Sequence, residues 1–355
     1  MAYTSINKGS DYFNNVLYTG TGSTNAQTGV GFQPDLVWLK RRDNAGRHRL
    51  FDAVRGATKS VRSDDAEAEI TRADSLTSFD SDGFTLGADS SSGGINVNIS
   101  GETMVGWNWL TDNTSGSSNT DGSITSTVSA NTTSGFSIVS YTGTGSNATV
   151  GHGLGVVPSV IMVKRRDSAG DWTVYNSNIG NTNFLRLNGT LASTSQATYW
   201  NNTTPTSSVF SVGSAGDVNT SSGTHIAYCF AEKKGFSKFG SYTGNGSTDG
   251  TFVYTGFKPA WIMIKRTSGT DGWVIYDNKR ETFNVHNLIL DANTSNPEED
   301  VSAYNTLDIL SNGFKCRGGS SGSGTATNQS GGSYIYMAFA ESPFTTSTGV
   351  PTTAR

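Results

Sequence analysis

Residues 136–167 read FSIVSYTGTGSNATVGHGLGVVPSVIMVKRRD. Nearly the same text stands at 12–43 (YFNNVLYTGTGSTNAQTGVGFQPDLVWLKRRD) and at 236–267 (FSKFGSYTGNGSTDGTFVYTGFKPAWIMIKRT). In each copy a Tyr-Thr-Gly opens a turn, at Tyr18, Tyr141 and Tyr242. A proline follows 16, 17 and 17 residues later, at Pro34, Pro158 and Pro259, and a lysine lies six residues beyond it, at Lys40, Lys164 and Lys265. The copies also close alike, with MVGWNWL (104–110), HIAYCFAE (225–232) and YIYMAFAE (334–341). Between start and close lies a short strand-like run: DGFTLG (82–87), SVFSVG (208–213) and NGFKCR (312–317). The chain is a threefold internal duplication, and that period governs any reading of its fold.

Within each copy the run after the proline is apolar on both alternations. Leu36 and Trp38 share one face, and Val37 and Leu39 share the other. VIMVKRR (160–166) and WIMIKR (261–266) repeat the pattern, which fits a central strand covered on both faces. The proline opens the strand, where its missing N–H costs little, and the basic pair then leaves the core. Long amphipathic patterns are scarce; the best place for a short helix is 53–76. Short strands bounded by Gly and Ser clusters predict an all-β chain of three tandem β-sandwich, jelly-roll-like modules. Their expected bounds are 1–110, 134–233 and 234–344. A small-residue linker is expected at 111–133 and an extended tail at 345–355. No spacer separates the second and third copies, so these two are expected to pack closely.

The Gly-x-Gly of YTGTGS could cradle a phosphate only if a helix began just after it. A glycine-rich stretch and then an apolar strand follow instead, which reads as a turn. The 355 residues carry a net charge of -4, so nothing recommends a nucleic-acid partner. No window approaches the ~18 apolar residues of a membrane helix, and no secretory leader pattern opens the chain. Aromatics reach 10%, enough for several modest cores. Cys229 and Cys316 read as buried free thiols. The four histidines (His48, His152, His225, His286) have no metal-ligand spacing and no shared position. No metal, cofactor or catalytic residue is expected. Glu232 and Glu341 recur at strand ends as single carboxylates, and NPEEDV (296–301) reads as a solvated turn. Candidate binding residues are aromatic. Tyr199 and Trp200 sit in a polar loop with no counterpart elsewhere and are expected either to form an exposed contact or to pack against a neighbouring module. Trp172 and Trp273 occupy equivalent places, which favours a core role.

The combination of YTGTGS, GHGLGVVPSVIMVKRR, YWNN, HIAYCFAEKKGFSKFGSYTGNGSTDG and YIYMAFAESPF resembles a family of bacteriophage virion proteins common in marine phages. INKGSDYFNNVLYTG, HRLFDAVRGA and SFDSDGFTLG resemble that family's first module, so the resemblance spans about residues 5–344. It implies a non-enzymatic tail-fibre-like or structural component, assembled in the host cytoplasm, displayed on the virion and expected to be a homotrimer among other virion proteins. Host attachment through surface glycan or protein is the first expectation, with the unshared loops 181–206 and 280–306 carrying specificity. Capsid decoration or cementing is the second, and glycan depolymerisation the third. The chain departs from a long fibre in having no heptad stalk and no separate docking domain.

Overall fold

A computed structural model describes residues 3–90, 97–304, 306–319 and 322–351. The fold is all-β, with three α-helices of four residues each among the described residues. Each module is built on a large antiparallel sheet with one strand order. The opening strand pairs with the closing strand, which pairs with the central strand, which pairs with a fourth. In the first module these are Phe13–Thr19, Thr103–Trp109, Leu36–Arg41 and Arg49–Asp52. In the second they are Phe136–Thr142, Thr224–Phe230, Val160–Arg165 and Thr173–Asn176. In the third they are Ser237–Thr243, Ser333–Pro343, Phe257–Arg266 and Trp273–Asp277.

Both faces of each large sheet are buried, as the doubly apolar central strands require. One face meets the module's own small outer sheet. In the first module Val37, Leu39 and Met104 pack with Phe84 and Leu86. In the second Ile161, Val163 and Cys229 pack with Val150, Phe210 and Val212. The opposite faces of all three large sheets converge on one shared core. Trp38, Trp107 and Trp109 of the first module meet Met162, Tyr228 and Phe230 of the second and Trp261, Met263 and Phe339 of the third. Trp109, Phe230 and Phe339 hold equivalent places on the closing strands. Phe339 lies 5.7 Å from Trp109 and 5.8 Å from Phe230, edge-on to both. The modules are therefore sectors of one body, and all three pairs pack closely.

The sectors close into a ring through contacts repeated at every joint. The buried lysine that ends each central strand reaches into its neighbour. Lys164 Nζ donates to the Ala66 carbonyl at 3.0 Å, Lys265 Nζ to Thr190 at 2.8 Å, and Lys40 Nζ to Asn296 at 2.7 Å. Trp172 Nε1 donates to the Arg62 carbonyl and Trp273 Nε1 to Arg186. His48 stands at the same place in the first module. Trp38 Nε1 donates to its Nδ1 at 2.9 Å, so Nε2 carries the proton and donates to the Asp291 carbonyl at 3.0 Å. The second module thus holds the first, the third holds the second, and the first holds the third, which is approximate threefold rotation.

Two of the three joints add a chain of charges. Asp277 and Arg280 form a fully buried pair at 2.6 Å, and Arg280 and Arg42 both bind Glu298. Asp52, Arg55, Glu69 and Arg166 repeat the arrangement. The third joint has Asn176, Ile179, Ser193 and Thr267 at these places, where Ser193 donates its N–H and its hydroxyl to the Thr267 carbonyl and no charges meet.

Several expectations change here. The stretch 53–76 forms no helix, because Gly56 and Thr58 take positive φ and its charged side chains are committed to the ring joint. Residues 111–133 are not a free linker. Ser117–Asn119 and Ser126–Asn131 extend the second module's sheet, and Ile124 and Val128 enter its core. NPEEDV is not simply solvated, since Glu298 bridges two arginines. The tail turns back at Thr346–Val350 and meets Asn7; residues 352–355 lie outside the described residues.

The buried lysines predict a pH dependence. Burial lowers Lys40, Lys164 and Lys265 from an ordinary value of 10.5 to about 8. From pH ~8 to ~10.5 the unfolded chain then binds more protons than the folded one, so this contribution to stability grows with pH. It is fully present above the unfolded value and lost as pH falls through about 8. The buried thiols, pushed up by desolvation, act in the opposite direction from about pH 9. Urea unfolding should give a stability ~1–2 kcal/mol higher at pH 9 than at pH 7.5. A Lys164→Met chain should show a shallower rise; an unchanged slope would contradict the assignment.

Candidate functional site

The repeated YTGxGS string is a turn fastened by an asparagine that the motif does not contain. The first glycine has no room for a side chain: a Cβ would meet the carbonyl of Ile99, Thr220 or Gln329 within 2.4 Å. The second takes φ of +65, +76 and +69° at Gly22, Gly145 and Gly246, a region that favours glycine. Asn98, Asn219 and Asn328 are fully buried behind these turns. Asn219 accepts from Thr144 N–H at 2.7 Å and donates to the Ser146 and Gly213 carbonyls at 2.6 and 2.8 Å. Asn98 and Asn328 make the same three kinds of bond. The motif tyrosines complete the clip, donating to the carbonyls of Val97, Val218 and Thr327. Asn219→Ala orphans buried groups on both sides of the turn. It should cost about 2–4 kcal/mol in denaturant unfolding, and a loss below 1 kcal/mol would refute the clip.

The aromatics singled out by sequence are not surface groups. Tyr199 is 5% exposed and stacks on Phe184 at 3.9 Å, and Trp200 is 2% exposed against Tyr175. A four-residue helix, Ala197–Trp200, turns both inward, so the polar composition around them misleads. Trp172 and Trp273 are buried at the ring joints. The four histidines are buried and bonded within the protein. Cys229 and Cys316 are buried free thiols. Among the described residues no three His, Cys, Asp or Glu side chains stand close enough to share a metal ion.

The exposed aromatics lie elsewhere. Phe252, Tyr254, Phe283 and Tyr304 are the large aromatic side chains that stand well out into solvent among the described residues, and all four belong to the third module. Its outer sheet runs Phe252–Tyr254, Gly313–Cys316, Leu307–Leu310. Alternation sends Val253 into the core and leaves Phe252 and Tyr254 outside. Across the ladder Tyr254 faces Gly313 and then Leu310, and Phe252 faces Lys315 and then Asp308. On the far edge the Asn284 side-chain amide donates to the Ile309 carbonyl and accepts from its N–H, and Phe283 stands beside it, 76% exposed. The equivalent strands of the other modules read Asn25–Gln27 and Ala148–Gly151, with no aromatic. Sequence comparison of the copies contains this signal: FVY stands where NAQ and ATVG stand.

Below Tyr254 opens a cleft of about 600 Å³, lined by Tyr3, Glu232, Lys234, Lys238 and Tyr254. Tyr3 donates to the Gly256 carbonyl at 2.7 Å, and its oxygen lies 3.2 Å from the Tyr254 hydroxyl. Lys234 Nζ sits 4.6 Å over the Tyr3 ring, and Lys238 pairs with Glu232 at 2.8 Å.

Residues 8–343 match the family described as a domain of unknown function, DUF7483. The chain belongs to that family. No curated protein and no solved structure matches it. No helix among the described residues is long and apolar enough to cross a membrane.

Proposed function

We propose that this member of the family is a non-enzymatic surface protein of a bacteriophage particle, a tail or head fibre that attaches to the host cell. The observation that carries the reading is the gathering of Phe252, Tyr254, Phe283 and Tyr304 on one of three modules built on the same strand order. Exposed aromatic patches on a well-packed protein mark contact surfaces. Two of these residues, Phe283 and Tyr304, fall in the unshared loop 280–306. The sequence resemblance to virion proteins supplies the particle. A homotrimer of such chains would present three of these faces at once, and repeated weak contacts gain avidity.

A second reading, capsid decoration, is favoured by the ring itself. A body with approximate threefold symmetry suits a seat on a threefold axis of a shell. Immunogold labelling of purified particles with antibody to residues 134–344 separates the two. Gold at tail tips or projecting fibres is the expected result, and even gold over the head would favour decoration. Unlabelled intact particles would sink both.

A further inference from the structure

We infer that the cleft beneath Tyr254 binds an acidic saccharide unit, a reading that names the ligand of the attachment surface and rests on it. Geometry sets the aromatic half of the site. Tyr3 spends its only hydroxyl proton on the Gly256 carbonyl, so the bond between the two tyrosines must be donated by Tyr254. Tyr254 lines the cleft, and its oxygen, having donated to Tyr3, can still accept from a sugar hydroxyl. Its ring is 54% exposed yet fixed at the hydroxyl, a pre-set platform for the C–H face of a pyranose.

Charge sets the other half. Lys238 is neutralised by Glu232. Lys234 rests on the Tyr3 ring and makes no ion pair with any described carboxylate. The three charges sum to one net positive in a chain whose total is -4. A neutral sugar entering here would displace water from Lys234 and return no counter-charge; a carboxylate or sulfate on the sugar supplies it. The cleft is open and borders the Phe252–Tyr254 strand, so a longer chain of sugars can continue across the outer sheet.

The test is isothermal titration of the full chain with acidic tetrasaccharides of galacturonate, mannuronate and sulfated galactose. Neutral galactotetraose and inorganic sulfate serve as comparators. At least one acidic tetrasaccharide should bind saturably, about tenfold or more tighter than galactotetraose, and weaken with added salt. Lys234→Met and Tyr254→Ala should each reduce affinity about tenfold, whereas Leu191→Ala, exposed on the second module, should not change it. No binding by any of the three, or equal binding of the neutral sugar, overturns the inference. Equal binding of sulfate alone reduces the site to an anion contact and also overturns it. Particles that label at their fibres while no saccharide binds would keep the attachment reading and remove only its ligand. Saccharide binding by a chain that labels no particle would do the reverse.

Discussion

Excised from the chain, residues 117–233 should not fold as a monomer. The fragment keeps its own outer-sheet core, yet its other face was built against two neighbours. Ile138, Met162, Trp172, Val174, Tyr228 and Phe230 are all at most 4% exposed in the ring. Returning six such side chains to water forfeits roughly 1.5–3 kcal/mol each. That sum rivals the ~5–15 kcal/mol that holds a typical domain together. The fragment also leaves Lys164 and Trp172 without the acceptors of the first module. Circular dichroism and urea titration are expected to give a disordered spectrum with no cooperative transition. A fragment that melts cooperatively as a monomer would show that the shared core is dispensable and that the chain is a string of separate domains.

Asp277→Ala is expected to be the most damaging single charge removal. Asp277 is fully buried, and burial alone would raise its pKa; Arg280 and Trp107 Nε1–H outweigh that and hold it below the usual range. Removing the carboxylate strands the Arg280 guanidinium in the interior. Such losses cost about 3–5 kcal/mol, because the buried guanidinium loses the carboxylate its Nε–H faces and keeps only that of Glu298, which it shares with Arg42. The joint between the third and second modules shows how the same place is built without charges. Copying it, with Arg42→Thr, Asp277→Asn, Arg280→Ile and Glu298→Ser together, should recover stability to within about 2 kcal/mol of the parent chain. Denaturant midpoints of the two variants and the parent make the comparison. A single variant no worse than the fourfold one would refute the view that the half-paired guanidinium does the harm.

The fold was largely legible because duplication and alternation are local signals. The doubly apolar runs at 36–39, 160–163 and 261–264 announced strands covered on both sides. They did not announce that the second cover is the neighbouring module. A strand buried against its own outer sheet and one buried against a sister sheet have the same composition, so the shared core was hidden. The segment 111–133 was misread for a related reason. Ser and Thr pair on a sheet edge as well as they hydrate in a linker, and only Ile124 and Val128 betray the packing. The surface was less legible still. Tyr199 and Trp200 stood out by rarity, but rarity does not report burial. Phe252 and Tyr254 looked like ordinary strand residues until the two sister strands were laid beside them. The charge chains could not be foreseen at all, since Arg42 and Glu298 are joined only by ring closure.

Covalent fusion of three sectors changes what a mutation can do. In a ring of three identical chains every substitution is written three times, and a change that helps one face burdens the other two. Here each sector is spelled separately. One joint could dispense with ion pairs while two retained them, and one outer sheet could acquire aromatic side chains while its sisters stayed polar. The surface of the third module can thus change without altering the other two, which serve as a constant frame.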